Sequence, residues 1–340
     1  MKAARLHAYE QSLQLDTVPD PDLLGYHDVI VRLGGAGVCR TDLHIIEGIW
    51  QTKVDVQLPY TLGHENAGWV EDVGGAVTSV RLGDAVIVHP VMTCGLCEGC
   101  RLGEDMYCSN NSFPGISTDG GFATFLRTTE RSLIKLPEGV EPVDVAPHAD
   151  AGITAYRAAK KAARLLRPGM SAAIIGVGGL GHIALQSLRH LCAARLVAVD
   201  PSSTAQDLAR ELGADRVVGA DRPVEEVREL TGGGAHVVLD FVGERGVEQD
   251  ATRMLRQGGT HIVIGYGGTV QVPAIDMIFS ELSVVGSLVG NYTELCELMA
   301  LHAEGKVRLH TQRYTLDDVN TALQDLDAGR VRGRGVLVPS

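Results

Sequence analysis

The sequence predicts an α/β plus all-β fold: a β-rich part joined to a doubly wound parallel sheet. Three observations carry this reading. Before about residue 150 the apolar residues come in short alternating runs broken by Gly and Pro. In "HDVIVRL", Val29, Val31 and Leu33 share one face, and "GDAVIVHP" reads the same way. Period-two alternation in short segments is the mark of strands with one buried face. From "AGITAYRAAKKAARLLRPG" onward the texture changes. Val- and Ile-rich runs ("AAIIGV", "RLVAVD", "DRVVGA", "AHVVLDFV", "THIVIGYG", "LSVVGSLVG") alternate with helical stretches such as "SSTAQDLARELG" and "GVEQDATRMLRQGG". That order predicts βαβ units and a parallel sheet covered on both faces. Finally, the extended run "RGRGVLVP" closes the chain and is predicted to return to the first part. The predicted domains are therefore 1–150 with 291–340, and 151–290.

A chain of 340 residues is long enough for two cores. Its 45% hydrophobic and 21% charged residues are those of a globular protein, and a net charge of −12 with no basic run excludes nucleic acid as a partner. "MKAARLHAYE" has no apolar segment of a secretory signal, and the longest apolar run, "SAAIIGVGGLGHIALQSL", is broken by glycines and a histidine. No membrane span is expected, and the expected location is cytoplasmic. In that reducing compartment clustered cysteines bind metal more often than they pair.

Glycine is abundant, at 41 residues, which directs attention to glycine-dependent loops. Gly176-x-Gly178-x-x-Gly181 follows a predicted strand and opens a predicted helix whose Ala184, Leu188 and Leu191 share a face. Bare glycine backbone lets a pyrophosphate approach, and a helix N-terminus offers N–H groups and positive dipole. Asp200 ends the next strand, nineteen residues after Gly181. An acid at that distance accepts from both ribose hydroxyls and repels a 2′-phosphate, which favours NAD over NADP. The plain alternatives are an unliganded strand-to-helix turn and, for Asp200 in "DPSS", a helix cap.

Four of the seven cysteines crowd into "CGLCEGCRLGEDMYC", as Cys94, Cys97, Cys100 and Cys108. This spacing suits tetrahedral zinc, with an iron–sulfur cluster as the rival. Four thiolates around zinc leave no open position and a net charge of −2, a poor Lewis acid. A reactive metal must then sit elsewhere. Cys39 in "GAGVCRTDLH" and His64 in "LGHENAG" are candidates, although each taken alone is more often a buried packing residue.

Together these motifs, with "DAGITAY" and the closing "GRGVLVP" in the same order, resemble the zinc-dependent medium-chain alcohol dehydrogenases over essentially the whole chain. The resemblance implies a GroES-like β-rich catalytic domain and a Rossmann NAD-binding domain. It implies two zinc ions per subunit, one structural and one catalytic. Cys39 and His64 match the first two ligands of the catalytic zinc. The third position, usually a cysteine, is Asp150 here. Thiolate, carboxylate and neutral imidazole still neutralise Zn²⁺, and the harder oxygen donor makes the metal a stronger Lewis acid. Glu65 matches the acid beside the zinc, and Asp42 the carboxylate that orients a zinc-bound histidine. Thr41 and His44, three apart, match a proton relay from the alcohol outward. Gly179 and Leu180 belong to the NAD loop with Gly176, Gly178 and Gly181. Arg40 and Arg334 match basic positions near the pyrophosphate.

The implied activity is hydride transfer between an alcohol and NAD to give an aldehyde or ketone. The implied assembly is a homotetramer or homodimer. A polyol or amino-alcohol dehydrogenase is the nearest alternative. A non-catalytic NAD- and zinc-binding regulator is the distant one, and a zinc-free quinone reductase would not need these ligands. Trp50 and Phe113 fall in segments that could line a pocket.

Overall fold

The computed structural model describes residues 1–54 and 56–339. It divides into two compact units, Met1–Ala151 with Gly290–Ala303 and Leu309–Ser340, and Gly152–Val289 with Glu304–Arg308.

The first unit is β-rich. Strands β1 (Lys2–Leu6), β2 (Gln14–Thr17) and β4 (Tyr60–Thr61) make a small sheet in the order β2-β1-β4. The large sheet contains β3 (Asp28–Val38), β5 (Glu65–Val73), β6 (Ala85–Val88), β7 (Phe125–Thr129), β8 (Leu133–Lys135), β15 (Thr311–Thr315) and β16 (Arg334–Val338). Its order is β15-β16-β3-β5-β6-β8, with β7 also on β3. Val29, Val31 and Leu33 pack with Val70, Val86 and Val88 in one cluster, as the alternation requires. Each such side chain contributes about 1.5–3 kcal/mol on burial.

Register in this sheet decides what meets what. Antiparallel pairing sets Gly37 opposite Glu65 and Gly335 opposite Val38. The C-terminal end of β3, the start of β5 and the start of β16 therefore share one end of the sheet. Cys39, His64, Glu65 and Arg334 all lie at that end.

The second unit is a six-stranded parallel sheet, β11-β10-β9-β12-β13-β14. Its strands are β9 (Ser171–Ile175), β10 (Arg195–Val199), β11 (Arg216–Val218), β12 (Ala235–Asp240), β13 (Leu255–Val263) and β14 (Ser283–Gly286). Ala172, Ile174 and Leu196 pack on one face with Leu185 and Leu188 of the helix Gly181–Leu191. Ala173, Ile175 and Val197 pack on the other. Both faces are covered, which is why these strands read as unbroken apolar runs. One boundary differs from the sequence expectation: the helix in "GVEQDATRMLRQGG" ends at Arg253 and "LRQGG" already belongs to β13. The register breaks between Ala235 and Val237, so a bulge absorbs these polar residues into a strand.

Among the described residues, no helix is long and apolar enough to cross a membrane.

Candidate active site and metal centres

Cys39 follows β3 directly and caps the helix Arg40–Ile46. The helix turns Asp42 back under it, and Asp42 Oδ2 accepts the Cys39 backbone N–H at 2.8 Å. The other oxygen of Asp42 lies 3.3 Å from His64 Nδ1. One carboxylate thus holds the backbone of one candidate ligand and the ring of the next. On its far side His64 Nε2 stands 3.5 Å from Asp150 Oδ2. Asp150 follows the tight turn Ala146–Ala149 at the start of the helix Ala151–Leu165. Donor atoms of Cys39, His64, Glu65 and Asp150 all lie within 4.8 Å of one another.

The electrostatics of this cluster are those of a site made for a cation. Burial pushes the Asp150 carboxyl up to about 6; His64 and Arg334 oppose the rise while Glu65 and Asp42 add to it. Burial works against a charged His64, but the Asp42 carboxylate at Nδ1 overrides it and raises the imidazole well above its usual range. His64 Nε2 and Asp150 Oδ1 are buried without a hydrogen-bond partner. Orphaned donor atoms facing one point, in a set of thiolate, imidazole and carboxylate, fit zinc.

Glu65 is held differently. Arg334 forks onto it, Nε to Oε2 at 3.0 Å and Nη2 to Oε1, and both side chains are buried. Gly37 makes this possible, because a Cβ there would stand 1.9 Å from Glu65 Oε2. Sequence reasoning missed Gly37; its only signal is a glycine inside a strand, which marks a close approach. Phe113, in a segment expected to line a pocket, meets the His64 ring edge-on, centroids 6.1 Å apart.

Thr41 and His44 lie on the same short helix, with His44 buried and Thr41 half-buried. Arg40 precedes them, partly exposed, 3.9 Å from Asp327.

The four-cysteine lobe is compact, its four sulfurs within 4.8 Å of one another. Tetrahedral zinc with Zn–S of about 2.3 Å needs S···S edges of about 3.8 Å. Here Cys94–Cys100 is 3.9 Å, Cys97–Cys100 3.5 Å and Cys94–Cys108 3.6 Å. Backbone N–H groups of Cys100 and Ser109 face Cys97 and draw its thiol down to about 6. Those of Leu96 and Cys97 lower Cys94. Burial pushes Cys100 up to about 11, so the amide dipoles favour thiolate at Cys94 and Cys97 but not at Cys100, where a bound cation would have to supply the difference.

In the second unit Gly176 has φ +83°, and a Cβ on Gly181 would stand 1.8 Å from Gly176 O. Gly178, with Gly179 and Leu180 following it, has open space where a Cβ would point. The first and last glycines build the turn and the middle one leaves room for a ligand. Asp200 accepts from Val177 N at 2.8 Å and Ser202 N at 2.9 Å. It therefore anchors the loop and starts the next helix, while each oxygen keeps a lone pair.

A nucleotide-binding sheet and a zinc-fitted donor set in one chain define a zinc-binding dehydrogenase. Comparison with known proteins agrees. Residues 25–138 match the alcohol dehydrogenase GroES-like domain family, and residues 179–304 match the zinc-binding dehydrogenase family. An alcohol dehydrogenase of Geobacillus stearothermophilus is 35% identical, over 99% of this chain and 98% of that one. An NAD-dependent alcohol dehydrogenase of Sulfurisphaera tokodaii is 33% identical over the whole of both chains. The crystal structure of the alcohol dehydrogenase from Aeropyrum pernix superposes with a TM-score of 0.97 at 51% identity, covering both chains fully. The chain belongs to the zinc-dependent medium-chain alcohol dehydrogenase family.

Proposed function

We propose that the protein is an NAD-dependent alcohol dehydrogenase with two zinc ions per subunit, moving a hydride between an alcohol and NAD to give an aldehyde or ketone. The convergence of Cys39, His64 and Asp150 carries this reading. Three protein donors and one open position are the arrangement of a catalytic zinc, whereas the four-thiolate lobe fits a closed, structural one. Arg334 engages both oxygens of Glu65, which supports a three-donor set. Zinc held there supplies Lewis acidity that lowers the pKa of an alcohol toward neutrality. NAD supplies the hydride acceptor. Asp200 and the NAD-dependent relative both support NAD as the cofactor.

The chain's own residues do the rest. Asp42 fixes the ring of His64 through Nδ1 and presents Nε2 to the centre. Thr41 accepts the hydrogen bond of the alcohol through its hydroxyl, and His44 carries the proton outward. Arg334 holds Glu65 in place through both carboxylate oxygens, and Arg40 is the residue assigned to the pyrophosphate. Phe113 beside His64 supplies an apolar wall, which supports apolar alcohols over polyhydric ones.

Assembly into a homo-oligomer belongs to the same proposal. The helix Ala274–Ser280 buries none of its residues, exposes Ile275, Ile278 and Phe279, and leads into the edge strand β14. An apolar surface at an unpaired sheet edge favours a second copy. The four-cysteine spacing, which suits a metal better than disulfides, supports a cytoplasmic setting.

The test is the appearance of reduced nicotinamide when enzyme, NAD and a panel of primary, secondary, aromatic and polyhydric alcohols are mixed. Turnover of apolar members is expected. Silence across the panel with both zinc ions bound favours the regulator instead.

A further inference from the structure

The dinucleotide reading leaves one buried pair in the second unit without a role. Asp240 ends β12, level with Ile175 of β9 and Val263 of β13, and is fully buried. Its Oδ1 accepts the backbone N–H groups of Val242 and Gly243, each at 2.9 Å. Its own carbonyl accepts from Ile264 at 3.0 Å and Gly265 at 2.9 Å, and Gly268 donates to Gly243 O at 2.7 Å. One residue thus clamps the turn after β12 to the turn after β13. The fit is close: a Cβ on Gly243 would stand 2.1 Å from Gly265 O. The first of these turns is also tied to the end of β9, just before the glycine loop, since Phe241 N donates to Ile175 O at 3.1 Å.

The other oxygen, Oδ2, is buried with no hydrogen-bond partner, and so is His261 Nε2, 3.5 Å away. His261 Nδ1 lies 3.3 Å from Thr252 Oγ1. A carboxylate and an imidazole facing each other in an apolar sheet are costly to bury, and apolar residues would serve packing better. Packing alone therefore does not account for them.

In a doubly wound sheet the dinucleotide lies outside the carboxyl ends of the strands, one mononucleotide half to each half of the sheet. The glycine loop and Asp200 take the adenosine half at β9 and β10. The turns clamped by Asp240 stand at the carboxyl ends of the other half. We infer that Asp240 and His261 are a positioning pair that shapes these two turns for the nicotinamide half of NAD. This rests on the NAD reading above.

Calorimetric titration of NAD and of ADP-ribose, which lacks the nicotinamide, separates the two. In Asp240→Asn and in His261→Gln, NAD affinity is expected to fall about tenfold while ADP-ribose affinity holds within about twofold. An equal loss for both ligands means general loosening and overturns the inference, as does no loss for either. Should Asp240→Asn fail to fold, His261→Gln, which removes only the facing ring, decides the matter. Wild-type protein that binds neither ligand overturns the NAD reading itself, and this inference with it.

Discussion

The two thiolate-bearing centres of the first unit are built on opposite plans. The lobe takes all its donors from Cys94 to Cys108, one local stretch whose backbone N–H groups face its sulfurs. The other centre gathers Cys39, His64 and Asp150 from three distant stretches through sheet register and one tight turn. Its donors are mixed, its carboxylate is pushed up by burial, and its histidine is steered by Asp42. A local centre of four like donors suits a role in shape. An assembled one of mixed donors suits chemistry, because its donor set is fixed by surroundings that the fold controls.

The sharpest way to break this contrast is Asp150→Ala. It is expected to lower kcat/KM by about a thousandfold or more, while metal analysis finds one zinc retained per chain. Unchanged turnover would show that Asp150 is no ligand. The mirror experiment is Cys97→Ser. Here activity measured well below the melting point should survive while Tm drops on the order of 10 °C, read by calorimetry. Loss of activity without loss of stability would reverse the assignment of the two centres. A smaller effect is expected from Asp42→Asn, which keeps the shape but weakens the hold on His64. Zinc affinity of the assembled centre should fall about ten- to a hundredfold, checked by competition with a chelator, with the lobe zinc unaffected.

The smallest effect compares two acids rather than two metals. Partial burial opposes ionisation of Glu130, but the N–H of Thr78, His27 and Ser79 overcome it and hold the carboxyl at about 2, against an ordinary 4.5. Asp150 has no such donors and shifts the other way. A depressed folded-state pKa contributes stability that is fully present above the unfolded value and disappears as pH falls through the folded one. The contribution of Glu130, on the order of 1 kcal/mol after screening, is therefore lost between about pH 4.5 and pH 2. In Glu130→Gln, denaturant titrations across that window should show a correspondingly shallower loss of stability. An unchanged slope would mean the donors do not act on Glu130.

Much of this was legible in the sequence. The lobe could be read from spacing alone because its donors are neighbours in the chain. The dinucleotide loop could be read because Gly176 and Gly181 serve a turn that local backbone chemistry dictates. The assembled centre was legible only through resemblance: Cys39 and His64, taken singly, look like packing residues. Nothing local marks Asp150 as a donor, Arg334 as the partner of Glu65, or Gly37 as the space that Glu65 needs.

By itself the sequence determined the periodicities, the glycine turn and the thiolate cluster, because each depends on residues within a few turns of backbone. Tertiary structure alone decided which donors meet. Antiparallel register between β3, β5 and β16 brings Cys39, His64, Glu65 and Arg334 to one buried end of a sheet. Register and desolvation are properties of pairs of distant segments, so no single stretch of chain contains them.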